Sequence, residues 1–130
     1  MINKFVFLPP QSDLFAEWIP RLLDSAPGWK IVAPETEADA KLELVDADAA
    51  FGTMTPDLIA CAANLKWLQA PAAAPDAGYY FDELIAHQTK VTNFREIYND
   101  HISVQILTYI LSFTKHSHLY RDLQKKREWS

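Results

Sequence analysis

Five short apolar runs punctuate the chain, and each is cut off by prolines, a glycine or a turn-forming cluster. They are Phe5 to Leu8, stopped by Pro9-Pro10; Lys30 to Ala33, after Ala26-Pro27-Gly28; Asp48 to Phe51, stopped by Gly52; Leu65 to Ala70, stopped by Pro71; and Lys90 to Phe94. The segments between them are too long for hairpins and carry helical spacing. Strands joined this way must run parallel, because an antiparallel pair needs only a tight turn and a parallel pair needs a crossover. Runs with no polar alternation, such as Phe5-Val6-Phe7-Leu8, suit strands covered on both faces. The expected fold is therefore α/β, a three-layer sandwich with a five-stranded parallel sheet of order 2-1-3-4-5, as in flavodoxin-like folds.

The connecting segments carry their own start and stop signals. Ser12 can cap a helix bearing Phe15, Trp18, Ile19, Leu22 and Leu23, which Pro20 is expected to kink or divide. Residues 34–45 alternate acids with alanine and leucine, as a short exposed helix with a solvated acidic face would. Thr55-Pro56-Asp57 is a cap, a proline at the first helical position and an acid complementing the dipole, for a helix reaching Ala63. Asp76-Ala77-Gly78 turns the chain into a helix expected to bury Tyr80, Phe81, Leu84 and Ile85.

The last helix is expected from Asp100 to about His118, a long crossing helix apolar on two sides. Ile102, Ile106, Tyr109 and Phe113 form one face, and Val104, Leu107 and Leu111 another. One face can pack on its own sheet; the other implies a second domain or a second subunit. Residues 1–99 thus read as a domain, and residues 100–130 as an interdomain or dimerisation helix and tail.

Composition excludes several classes. A net charge of −5 argues against nucleic acid and anionic membrane, since both need concentrated positive charge. The run from Ile102 to Phe113 is about half the roughly 20 residues needed to cross a bilayer. The N-terminus lacks a basic, apolar leader, so a cytoplasmic location is expected. Cys61, the single cysteine, cannot form an internal disulfide and reads as a small core residue or as a reactive thiol. His116 and His118 have no third ligand in view, so no metal is expected. His87 suits a helix C-terminus, and His101 either a cap or chemistry.

Ligands of open parallel sheets bind outside the carboxyl ends of the strands, near the reversal of strand order. Leu8-Pro9-Pro10 there offers neither an acidic pair nor a hydroxyl-rich phosphate loop. The loops after the third and fourth runs offer Gly52, Thr53, the helix start at Pro56, and Ala72, Ala73 and Ala74, whose small side chains leave backbone amides open to a small anion. The stretch LKWLQAPAAAPD reads as this ligand loop or as a plain strand-to-helix connection. Gly28, Gly52 and Gly78 are too scattered for a dinucleotide fingerprint.

Three segments together resemble the substrate-binding domain of the D-isomer-specific 2-hydroxyacid dehydrogenases. They are DAAFGTMTPDLIACAANLKWLQAPAAAPDAGYYFD (residues 48–82), VTNFREIYNDHISVQILTYILSF (residues 91–113) and HLYRDLQKKREW (residues 118–129). The T-N-x-R run followed by the N-D-H-I helix start is the most specific part. The resemblance implies that Gly52, Thr53, Met54, Ala72, Ala73 and Ala74 hold the carboxylate of a small 2-oxo or 2-hydroxy acid, of the glyoxylate or hydroxypyruvate kind. It implies NAD or NADP on a separate Rossmann domain, which would also carry the catalytic arginine, glutamate and histidine. Arg95 would make a structural ion pair rather than a substrate contact, the other role open to it, and Ser103 could touch the cofactor edge. A homodimer through the 100–118 helix is expected. Two departures stand out: Ala74-Pro75 where the family carries glycine and a branched residue, and Ser103-Val104 where it carries alanine and glutamate. Because family members enter the cofactor domain just beyond the position of Trp129-Ser130, this chain is expected to be a fragment, inactive alone and binding no cofactor. The alternative is a non-enzymatic flavodoxin-like module that binds a small anion or a protein.

Overall fold

The computed structural model describes residues 3–129, without the side chain of Ala16. The chain divides into two compact units, one ending at Arg95 and the other beginning at Glu96. The first unit contains, in order, β1 (Asn3–Phe7), α1 (Asp13–Ser25), β2 (Trp29–Val32), α2 (Glu37–Leu44), β3 (Ala49–Phe51), α3 (Pro56–Ile59), β4 (Trp67–Gln69), α4 (Asp82–Ala86) and β5 (Lys90–Thr92). The strands form one parallel sheet in the order β2-β1-β3-β4-β5, as expected from the spacing of the apolar runs.

Register sorts the side chains into two faces. Val6, Ala50, Leu68 and Val91 lie opposite one another across the strands and share one face, since alternate residues of a strand point the same way. That face meets Ala40 and Leu44 of α2, Leu58 and Ile59 of α3, and Leu84 of α4 in the main core. Fully burying a leucine there contributes about 1.5–3 kcal/mol. Phe7 and Phe51 point to the other face and meet Phe15 of α1, each with ring centroids 5.2 Å from it. Helices of the first unit thus cover both faces, with α1 on the second.

Within the first unit α1 lies over Phe7 and Phe51, towards the β1 and β3 part of this face. Trp67, on the inner strand β4, is 41% exposed, and its Nε1–H donates to Thr92 Oγ1 at 2.8 Å.

α1 runs through Pro20 as one element and is not divided there, with Phe15, Ile19 and Leu22 partly buried along it. Two helical expectations are corrected. α2 is not merely a surface helix, since Ala40 and Leu44 are fully buried while Glu37 and Asp39 are exposed, and Thr36 caps it by accepting from the Asp39 amide at 3.1 Å. α4 is little more than one turn, with Phe81 as its N-cap, so its inward residue is Leu84; Tyr80 and Ile85 are exposed and Tyr79 is buried in their place.

The edge at the strands' amino ends is held by ions. The buried Lys4 ammonium lies 2.6 Å from Glu43 and pairs with Asp46. Burial alone would lower the Lys4 pKa, but the bonds to Asp46 and Glu43 more than offset it and the net shift is upward. Asp48 accepts from Lys66 Nζ at 2.6 Å and from the Lys4 amide at 3.0 Å, and these two bonds hold its carboxyl below the usual range.

The second unit contains α5 (Asn99–Thr114) and α6 (Ser117–Lys126) where one long helix was expected. His116 adopts a left-handed conformation, φ 54°, which no helix can propagate. No described residue of either helix is buried, and the apolar residues of α5 are exposed on every side.

Candidate functional site

Backbone bonds carry the strands to a common edge before their loops diverge. Leu8 N–H donates to Phe51 O at 2.8 Å, Gly52 N–H to Gln69 O at 3.1 Å and Ala70 N–H to Thr92 O at 2.8 Å. Past these bonds the chain leaves the sheet at Thr53 and at Pro71, which has no amide to continue a ladder. Gly52 makes the exit possible. Its φ is +132°, and a Cβ there would sit 2.9 Å from Leu8 Cβ.

Between the two loops lies a cavity of about 270 Å³. Thr53 and Met54 form one wall; Pro71, Ala72 and the segment from Pro75 to Tyr79 form the rest. None of the amides of Thr53, Met54, Ala72, Ala73 and Ala74 hydrogen-bonds to another described residue. Unused amides at a strand edge are anion donors. The Met54 side chain is buried in the core, so that residue has only its backbone to offer. Gly52, Ala73 and Ala74 stand outside the cavity wall.

Gly52 is tied to the opposite loop. The Tyr79 hydroxyl donates to Gly52 O at 2.9 Å in a buried bond. Burial, with a smaller contribution from Tyr80, pushes the Tyr79 phenol up to about 12. Sequence reasoning had assigned the inward position to Tyr80, one residue along; the tight turn at Gly78, φ +90°, with Tyr79 N–H on Asp76 O at 3.1 Å, sets the phase instead. Asp76 was read only as a turn residue, yet it lines the cavity. The helix start at Pro56 offers less than its sequence suggests. α3 has a single turn, and its Leu58 amide is already taken by Thr55 Oγ1 at 3.3 Å.

The other candidates do not converge on the cavity walls. Ser103 and His101 are exposed on α5 in the second unit. In the T-N-x-R connection the Arg95 amide donates to Asn93 Oδ1 at 2.9 Å. His87 closes α4, and its Nδ1 accepts from the Thr89 amide at 3.2 Å. Cys61 is partly buried, and the rings of His116 and His118 lie 6.4 Å apart. Among the described residues no three His, Cys, Asp or Glu side chains are grouped to hold a metal ion, and no helix is long and apolar enough to cross a membrane.

Neither a family model nor a curated protein matches the chain. Solved structures do. A D-isomer specific 2-hydroxyacid dehydrogenase family protein from Aeromonas salmonicida subsp. salmonicida is 25% identical with a TM-score of 0.64, over 100% of this chain and 41% of that one. A protein of the same family from Klebsiella pneumoniae is 22% identical with a TM-score of 0.61, over 98% and 39%. An NAD-dependent formate dehydrogenase from Staphylococcus aureus, in complex with NAD, is 14% identical with a TM-score of 0.57, over 98% and 43%. The last two share the fold. The chain therefore spans about two-fifths of the length of the structures it matches. The resemblance carried by residues 48–82, 91–113 and 118–129 is borne out: D-isomer specific 2-hydroxyacid dehydrogenases are what this chain is similar to along its whole length.

Proposed function

We propose, on the premise of that likeness, that the chain is the substrate-binding part of an oxidoreductase that reduces a 2-oxo acid to a D-2-hydroxy acid with NADH or NADPH. The observation that carries this reading is the set of unbonded amides at the edge where β3 and β4 end, with Thr53, Met54 and Ala72 in the cavity wall. Each can donate to a carboxylate oxygen without a lysine beside it. Gly52, Ala73 and Ala74 support that cradle. Asp76 brings an acid to the lining, and in this reading its charge disfavours doubly charged ligands more than monocarboxylic acids such as glyoxylate or hydroxypyruvate.

A nicotinamide, when bound, supplies or takes the hydride. The described residues of this chain do not fit the dinucleotide: Gly28, Gly52 and Gly78 occupy three separate turns and form no phosphate cradle. The chain's part is to bind the acid and orient it. In this reading the activity belongs to a protein that also supplies a Rossmann domain with its acid and base, and Ser103 on α5 touches the cofactor edge there. The exposed apolar faces of α5 support self-association into a homodimer through that helix.

The reading predicts that glycolate, a small 2-hydroxy acid, shifts the amide resonances of Thr53, Met54 and Ala72 in the isotope-labelled chain. It also predicts that the chain alone does not oxidise NADH in the presence of glyoxylate. Turnover by the chain itself would overturn the division of labour proposed here. Absence of any glycolate shift at those loops would replace the reading with that of a non-enzymatic module.

A further inference from the structure

The cavity's two walls belong to different loops, and one side-chain bond joins them. It runs from the Tyr79 hydroxyl, after β4, to the carbonyl of Gly52, after β3. Among the described residues no other hydrogen bond links residues 52–55 to residues 70–79. A peptide unit is planar and trans, so the Gly52 carbonyl and the Thr53 N–H leave one plane in opposite directions. The bond to the carbonyl therefore turns the Thr53 amide away from the Tyr79 hydroxyl. Gly52 by itself would not hold that plane, because a residue without Cβ rotates about its backbone at little cost.

We propose that Tyr79 is a positioning residue: its hydroxyl fixes the Gly52–Thr53 peptide plane and so presents the Thr53 amide to an anionic ligand in the cavity. The inference rests on the carboxylate cradle proposed above. A tyrosine that served packing alone would need only its ring, which is already in the core with Leu84 and Met54. Because burial holds the phenol protonated to about 12, the donor persists throughout the range in which a carboxylate ligand is ionised.

The test titrates the isotope-labelled chain with glycolate, as wild type and as Tyr79→Phe, following amide resonances alongside thermal unfolding. Tyr79→Phe is expected to keep the wild-type resonances of Val6 and Leu68 while those of Gly52 and Thr53 broaden. Its affinity for glycolate should fall about five- to tenfold, the scale of one lost hydrogen bond. A purely structural role would lower the unfolding temperature and leave the folded protein's affinity unchanged, and that result overturns the inference while leaving the cradle standing. Failure of the wild type to bind glycolate at these loops overturns the cradle and the inference together. Should Tyr79→Phe not fold, the wild type decides: coupling between sites is reciprocal, so glycolate must slow exchange of the Tyr79 hydroxyl proton. Binding that shifts Thr53 and leaves that exchange untouched counts against the role.

Discussion

Replacing Gly52 by alanine tests the backbone path on which the cavity depends, and its cost can be worked from two separate causes. At φ +132° an L residue is strained, by about 1–3 kcal/mol. The added Cβ would also stand 2.9 Å from Leu8 Cβ, and Leu8 is itself fully buried between β1 and the core, so the neighbour cannot swing away. Forcing an extra carbon into a packed site costs a further ~1–3 kcal/mol. The sum, about 2–6 kcal/mol, is a large share of the roughly 5–15 kcal/mol that holds a domain together. Gly28 provides the control. Its φ is +90°, yet nothing lies within 4 Å of a Cβ there, so Gly28→Ala should cost only the backbone part, about 1–2 kcal/mol. Urea unfolding of both variants, followed by far-ultraviolet circular dichroism, reads the two costs directly. A Gly52→Ala variant no less stable than Gly28→Ala would refute the close approach of Leu8 and with it the geometry described for the loop.

Two further outcomes follow from bonds at the helix starts and the ionic edge. Thr55→Ala should cost about 1 kcal/mol in urea unfolding, because Thr55 Oγ1 accepts from the Leu58 amide, whereas Ser12→Ala should cost little, because the Ser12 side chain makes no cap bond. Asp48 has a folded-state pKa below its ordinary 3.8, so it stabilises the fold above that value and the contribution is lost as pH falls through the lowered one. Asp48→Asn should therefore unfold more easily than wild type at neutral pH and converge with it in acid, as thermal melts across pH would show; parallel curves at all pH values would contradict the pairing with Lys66 and the Lys4 amide.

Much of the fold could be read from the chain because its strands are short and abruptly ended. Pro9-Pro10, Gly52 and Pro71 mark strand ends by chemistry that tertiary packing cannot override, and the long connections force parallel pairing. The helices were less legible, since their inward faces depend on phase. The turn at Gly78 advances the chain so that Tyr79, and not Tyr80, enters the core, and no periodicity within so short a helix as α4 reveals it. The break at His116 was equally hidden, because a left-handed histidine carries no residue-type signal of the kind glycine gives. At the site, small residues predicted the loops but not what holds them. The Tyr79 bond joins residues 27 positions apart, and Asp76 enters the cavity wall only once the turn is formed. Of the two outcomes open at Pro20, a kink or a division, the continuous α1 leaves only the kink.

Partial exposure makes Trp67 a built-in optical reporter of a particular kind. Its indole lies edge-on to Phe5 at 6.1 Å between ring centroids and is anchored to Thr92, while 41% of its surface meets water. In a chain whose Trp18, Trp29 and Trp129 are replaced by phenylalanine, Trp67 fluorescence will therefore shift blue when anything that settles on this part of the first unit's sheet displaces that water.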